Sequence, residues 1–228
     1  MERGGRANGV AAAVSETRLG WLGGTFDPIH NGHLDVAEAA KQALHLDTVF
    51  LVPANVPPHR NVPIASTEDR LKMVRLAAET QAWLRVSDIE LTTSGTSYTT
   101  ETLDRLEAKG TALSFLYVIT GADAFAEIFT WKGMPGLLDR CPFVVVSRPG
   151  FPVRDLRQKL PTLANRMLDA NDCDFTARPG IFLVDAPTAP VTATEIRTRA
   201  ASRMSLDGLV PEAVASYING HELYQGVA

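Results

Sequence analysis

Short apolar runs alternate along the chain with longer stretches in which apolar residues recur every three or four positions. The runs Leu19–Gly23, Thr48–Val52, Leu84–Ile89, Ser114–Thr120, Phe143–Ser147 and Ile181–Asp185 are read as strands. Several are unbroken (VFLV, FVVV, IFLV) rather than alternating, as expected for parallel strands covered on both faces. Helical spacing marks Gly32–Leu44, Thr67–Glu79, Thr99–Lys109, Asp123–Trp131, Val153–Asp169, Thr194–Arg203 and Pro211–Asn219. In the first of these, Leu34, Ala37, Ala40 and Leu44 form one apolar stripe. The alternation predicts an α/β fold: a doubly wound, Rossmann-like, mainly parallel sheet with helices on both faces and right-handed crossovers.

The polar clusters are placed as regularly as the apolar ones. GTFDPIHNGH follows the first strand, PANVPPHR the second, TTSGTSYT the third, TGAD the fourth, SRPG the fifth and APTAPVTATEIR the sixth. Carboxyl ends of parallel strands share one edge, and that edge is where such sheets bind ligands. Any one cluster is explained as a turn; six on one rim point to a site.

Two of the clusters open helices. In the first, Gly23, Gly24, Thr25 and Phe26 lead through Asp27 into His30-Asn31-Gly32-His33. Free N–H groups at a helix start, the helix dipole and two imidazoles suit a phosphate, and glycines let backbone approach it closely. The segment has neither the Lys-Ser/Thr of a Walker loop nor the G-x-G-x-x-G spacing. A plain structural turn and a two-histidine metal site are the other readings of the same residues; the second lacks the further ligands that zinc takes. The last cluster reads Val191-Thr192-Ala193-Thr194-Glu195-Ile196-Arg197. Thr192 and Glu195 fit a capping box, with Arg197 one turn above Thr194. Alone it is a capped helix with a solvated arginine; beside the first motif it is a second anion-binding start, and two such ends suit a polyphosphate.

Composition narrows the field without deciding it. The chain of 228 residues, 45% hydrophobic and 21% charged, is long enough for a full core. A formal net charge of −4 argues against general nucleic-acid or membrane-surface binding, not against a nucleotide ligand. Two cysteines, Cys141 and Cys173, suggest no disulfide framework and a cytoplasmic, reducing setting. Residues 1–17 are small, polar and Gly/Ala-rich; they are read as a disordered tail or an overlong start, leaving 18–228 as one domain.

The two helix-opening motifs together resemble the nucleotidylyltransferase superfamily, with its H-x-G-H and I-S-S-T-x-x-R. In order and spacing, GGTFDPIHNGHL, VPANVPPHR, TSYTTETL, ITGADAF with a following Trp, VVSRPG and the terminal VP…YI…LY are similar to the bacterial nicotinate-nucleotide adenylyltransferases, over roughly Leu19 to Tyr224. Thr192 and Ala193 stand where that family has Ser-Ser, Glu101 where it often has Asp, and Arg60 where Lys is common.

The resemblance implies transfer of AMP from ATP to nicotinate mononucleotide, giving deamido-NAD and pyrophosphate, with Mg²⁺ accompanying ATP. It implies catalytic roles for His30, His33 and Arg197, as positioned charge rather than acids, bases or metal ligands. ATP contacts fall to Gly23, Gly24, Thr25, Phe26, His30, Gly32, His33, Gly121, Asp123, Thr194 and Arg197. Nicotinate mononucleotide contacts fall to Arg60, Ser97, Tyr98, Thr99 and Trp131, the indole stacking on the pyridine ring. Taken without the resemblance, Arg60 is equally a solvated loop arginine and Trp131 a core or surface aromatic. A phosphopantetheine adenylyltransferase shares the first motif closely. It usually carries Thr at the position of His30 and lacks the long segment 148–180. A cytidylyltransferase is disfavoured on the same grounds, and a non-catalytic nucleotide sensor would have kept the same site. Association of the chain with further copies is left open.

Overall fold

The computed structural model describes residues 17–58, 62–93, 95–170 and 179–226. The tail expected over 1–17 falls outside these, save for Thr17, as do His59 and Arg60. Among the described residues seven strands build one sheet: β1 (Leu19–Gly24), β2 (Thr48–Pro53), β3 (Leu84–Val86), β4 (Leu116–Gly121), β5 (Phe143–Val146), β6 (Met167–Asp169) and β7 (Ile181–Val184). Their order is β3-β2-β1-β4-β5-β7-β6, and every neighbouring pair is parallel. The helices are α1 (Asn31–Leu44), α2 (Thr67–Ala78), α3 (Thr99–Ala108), α4 (Ala122–Phe125), α5 (Leu156–Lys159), α6 (Ala193–Ala201) and α7 (Glu212–Gly220).

The unbroken apolar runs are explained by two cores, one on each face of the sheet. Successive side chains of a strand point to opposite faces. Thus Leu22, Ile119, Val144, Val146, Phe182 and Val184 pack with α1, α2, α6 and α7. Their alternates Trp21, Val118, Phe143, Val145, Ile181 and Leu183 pack with α3, α4 and α5. From β1 the chain winds outward through β2 to β3, then returns to the other side of β1 for β4 and β5. The carboxyl ends of β1 and β4 therefore flank the point where the winding reverses, and a crevice opens there.

Two expected helices are not continuous. The stretch Val153–Asp169 divides into a 3-10 turn (Val153–Asp155), α5, a second 3-10 segment (Pro161–Arg166) and strand β6. Pro161 accounts for the break: the residue before a proline is pushed out of the helical region, and Leu160 lies at φ −126°, ψ 63°. Beyond it, Met167–Asp169 pairs with Ile181–Leu183 at the sheet edge. The stretch Asp123–Trp131 is the single turn α4 followed by a 3-10 turn, Ile128–Thr130. Phe125 and Ile128 drop fully into the core, and Trp131 emerges with extended backbone.

Candidate active site

After β1 the chain folds tightly back on itself. Phe26 adopts φ +49° and is 1% exposed, its ring edge-on to His33 with centroids 5.0 Å apart. A Cβ on Gly24 would come within 2.8 Å of that ring, so glycine is what allows Phe26 to close over the turn. Asp27 then braces it. Its carboxylate accepts the N–H groups of Ile64 (2.7 Å) and Ala65 (3.1 Å) and the Tyr224 hydroxyl (3.0 Å). Arg70, 1% exposed, pins the turn to the loop after β2 by donating to the carbonyls of Thr25, Ala54 and Asn55.

His30 is the N-cap of α1. Its N–H donates to Nδ1 of His33 at 3.3 Å, and the two rings stack at 3.7 Å, 21° from parallel. Because His33 Nδ1 accepts, its proton sits on Nε2, which becomes a donor at the helix start. His30 is 2% exposed and its Nδ1 has no hydrogen-bond partner. Burial, reinforced by the nearby Arg148 guanidinium, lowers its pKa to about 3. This corrects the expectation of two positioned charges: near neutral pH the His30 ring is an uncharged dipole.

The second motif arrives from the far end of the chain. Thr192 Oγ1 accepts the Glu195 N–H at 3.1 Å, as a cap should. The return half of the expected capping box is not what Glu195 provides; its carboxylate lies 4.0 Å from Arg199 instead. Arg197 donates to the backbone carbonyl of Asp27 at 2.7 Å and to Thr194 Oγ1 at 3.2 Å, so the two motifs touch.

Two further ties join these helix starts, and neither was singled out from sequence. Arg148, after β5, donates to the carbonyls of Gly32 (3.0 Å) and Val191 (3.4 Å). Asp35 on α1 accepts the Ala189 N–H at 2.7 Å. Gly32 was expected to make room for a ligand. In the fold its bare Cα makes room for Arg148, since a Cβ there would stand 2.7 Å from Nη1. The only sequence trace of Arg148 is the SRPG turn. Beside it, Ser147, Arg148, Gly150, Asp185, Pro187 and Thr188 help to line a cleft of about 450 Å³ at the carboxyl ends of β5 and β7. Gly121 ends β4 and Asp123 follows it on the same rim. A Cβ on Gly121 would collide with the Asp123 carboxylate and lie 3.0 Å from Arg148 Cγ.

Of the residues expected to hold the second ligand, Arg60 lies outside the described residues, Ser97, Tyr98 and Thr99 lie between β3 and the first turn of α3, and Trp131 follows α4. Asn55 donates its N–H to Ser97 Oγ at 2.9 Å, and Ser97 donates its own to the Val56 carbonyl at 2.8 Å. Tyr98 caps α3 with extended backbone and no side-chain hydrogen bond, leaving Thr99 in the open first turn. Trp131 is half-buried, edge-on to Phe143 at 6.5 Å. Its neighbour Lys132 reaches across to α3, 4.5 Å above the Tyr98 ring and 2.7 Å from Glu101. Gly133, at φ +88°, passes so close to Thr100 that a Cβ would fall 2.5 Å from Cγ2. Ser97, Tyr98, Thr99 and the Trp131 segment are thus brought together. Among the described residues no group of three His, Cys, Asp or Glu side chains could hold a metal.

Known proteins share this architecture and this sequence. A family model described as cytidylyltransferase-like matches residues 21–199. A relative from Moorella thermoacetica, named "Probable nicotinate-nucleotide adenylyltransferase", is 38% identical across 91% of this chain and 92% of its own. One of the same name from Roseiflexus is 39% identical across 93% and 100%. Among solved structures, the Plasmodium falciparum nicotinic acid mononucleotide adenylyltransferase complexed with NaAD superposes with a TM-score of 0.69. It covers 91% of this chain and 97% of its own at 16% identity, a likeness of fold. The chain belongs to the nicotinate-nucleotide adenylyltransferase family.

Proposed function

We propose that the two tied helix starts grip the polyphosphate of ATP while the Ser97–Thr99 and Trp131 side receives nicotinate mononucleotide. The chain transfers AMP from the first to the second, releasing pyrophosphate and forming deamido-NAD. The mononucleotide phosphate has a second pKa of about 6, so it is largely the dianion near neutrality and needs no base to activate it. One of its oxygens attacks the α-phosphorus in line. A new P–O bond forms as the bond to the bridging oxygen breaks, and pyrophosphate carries away the electron pair. No covalent enzyme intermediate is involved. The enzyme's task is to hold two anions together and to stabilise charge on the departing oxygens.

The named residues suit that task. His33 presents Nε2–H and Gly32 its N–H at the positive end of α1. Neutral His30 keeps the first ring in place by stacking. Arg197 and Thr194 would take the β- and γ-phosphates, with the Arg197 fork already aligned by the Asp27 carbonyl. The cleft beside Arg148 has room for the adenosine end. Asp123, at the mouth of the switch point, would accept from a ribose hydroxyl. ATP would enter as its magnesium complex, held by the nucleotide rather than by protein carboxylates, and the ion would supply neutralising charge for the leaving group. The carboxylates nearest the turn, Asp27 and Asp35, already accept protein donors. Arg60 would close over the mononucleotide from the loop after β2. On this reading residues 18–228 form one domain working in the cytoplasm. Among the described residues no helix is long and apolar enough to cross a membrane.

The observation that carries the reading is the joining of both motifs through Arg197 and Asp27, residues that lie at opposite ends of the chain. Pyrophosphate release from Mg²⁺-ATP tests it. Rapid release is expected with nicotinate mononucleotide, and much slower release with its amide or with phosphopantetheine. Turnover with phosphopantetheine alone would reassign the acceptor. ATP binding without turnover would make the chain a sensor.

A further inference from the structure

The reaction described above makes no use of Glu90, although the acid is 4% exposed. It follows β3 in the loop that leads to Ser97. Its Oε1 accepts the Thr102 hydroxyl at 2.8 Å, and the same hydroxyl lies 3.3 Å from the Tyr98 carbonyl at the helix cap. Ser97 Oγ is itself the acceptor of the Asn55 N–H. Thr102, 0% exposed, lies on α3 one residue past its first turn. From the other side, the Asn55 amide donates to the carbonyls of Thr93 and Gly95. The Thr93 hydroxyl returns to the Glu90 carbonyl at 3.2 Å. One buried acid residue therefore ties the loop before Ser97 to the start of α3. Burial pushes its pKa above the ordinary carboxylate value, opposed by the Thr102 and Ser97 hydroxyls and by Arg105. A buried carboxyl is costly compared with an apolar filler unless its oxygens are engaged. Here the Thr102 hydroxyl engages Oε1.

We infer that Glu90 is a positioning residue for the second substrate: through Thr102 it holds the start of α3 in the register that receives nicotinate mononucleotide, without touching it. This rests on the reading of Ser97, Tyr98, Thr99 and Trp131 as the mononucleotide pocket. A carboxylate accepts the Thr102 hydroxyl with its charge, whereas an amide in its place accepts only as a neutral oxygen and adds a buried N–H donor. Glu90→Gln preserves volume and breaks only that match.

Steady-state kinetics with each substrate varied in turn test the inference on three variants. Glu90→Gln is expected to raise the KM for nicotinate mononucleotide about tenfold, the scale of one hydrogen bond to a charged group. The KM for ATP and kcat should stay within about twofold, since the α1 and α6 starts are untouched. Thr102→Val, which removes one donor and keeps the shape, should move the same constant about threefold. Equal rises in both KM values, a fall in kcat alone, or no change in either variant would overturn the role of Glu90. Trp131→Ala separates this from the underlying reading. If it leaves the mononucleotide KM unchanged, the pocket itself is misassigned. If it raises that KM while Glu90→Gln and Thr102→Val do not, the pocket stands and the role of Glu90 falls.

Discussion

The starts of α1 and α6 face the same rim, but their free N–H groups are managed by different chemistry. At α6 a threonine hydroxyl accepts the N–H three residues on, an ordinary cap worth about 1 kcal/mol of stability. At α1 no hydroxyl is present. The cap position holds a buried imidazole whose Nδ1 finds no partner, and the His30 N–H is received by a second imidazole. A serine at that position would cap with its hydroxyl, as Thr192 does at α6. Local rules are broken where a ligand gives the reason, and on the proposed function the reason at α1 is a donor, His33 Nε2–H, held at fixed tautomer by the His30 N–H. At α6 stability and chemistry are divided between residues, with Thr192 for the cap and Arg197 for the ligand. At α1 the same two rings do both.

That contrast is open to direct attack. The largest effect is expected from His33→Ala, which should lower kcat about 10²–10³-fold, the range for loss of one donor to developing charge. The melting temperature should barely move; a kcat within about threefold of the parent would reduce α1 to a structural turn. Next comes Arg197→Ala, with about a 10²-fold loss in pyrophosphate release. Arg197→Lys should fail to restore it, because a single ammonium cannot hold the Asp27 carbonyl and Thr194 as the planar fork does. Arg148→Met removes the bridge between the Gly32 and Val191 carbonyls, and kcat/KM for ATP should fall about tenfold.

The fourth test concerns pH. The folded-state pKa of His30, about 3, lies below its unfolded value of 6.5. Between those limits the unfolded chain binds a proton that the folded chain refuses. The neutral ring's contribution is therefore complete above pH 6.5 and is lost as pH falls toward 3, at about 1.4 kcal/mol per unit. Unfolding free energies from urea titrations at about pH 7.5 and 5.5 should differ by less in His30→Gln than in the parent, by roughly 1.4 kcal/mol. Identical differences would mean that the ring titrates normally. The smallest effect belongs to Thr192→Ala, about 1 kcal/mol of stability with kcat nearly unchanged. A large kcat loss there would erase the division of labour at α6.

Much of this was readable in the chain. Strand starts at Leu19, Thr48, Leu84, Phe143 and Ile181 agree with the fold because a strand covered on both faces needs an unbroken apolar run. Strand β6 was not readable: three residues, two of them exposed, carry no periodic signal and become a strand only by pairing with β7. Both phosphate motifs were legible because helix starts have a local grammar of glycine, cap and short polar side chain. Arg148, Asp35, Arg70 and Glu90 were not. Their partners are mostly backbone groups or hydroxyls supplied by other segments, and a backbone carbonyl leaves no mark on the sequence at either end of the bond.

By itself, then, the order of residues determined the α/β alternation, the rim on which the polar clusters fall, and the two helix starts. Those follow from periodicity and from turn chemistry, which act over a few residues. Tertiary structure alone decided that His30 is uncharged, since its pKa depends on burial by distant chain and on Arg148. It also decided that Arg197 meets Asp27 across 170 positions of sequence. Desolvation and long-range hydrogen bonds come into being only when the sheet brings those segments together, and the opening glycine turn becomes half of a clamp only then.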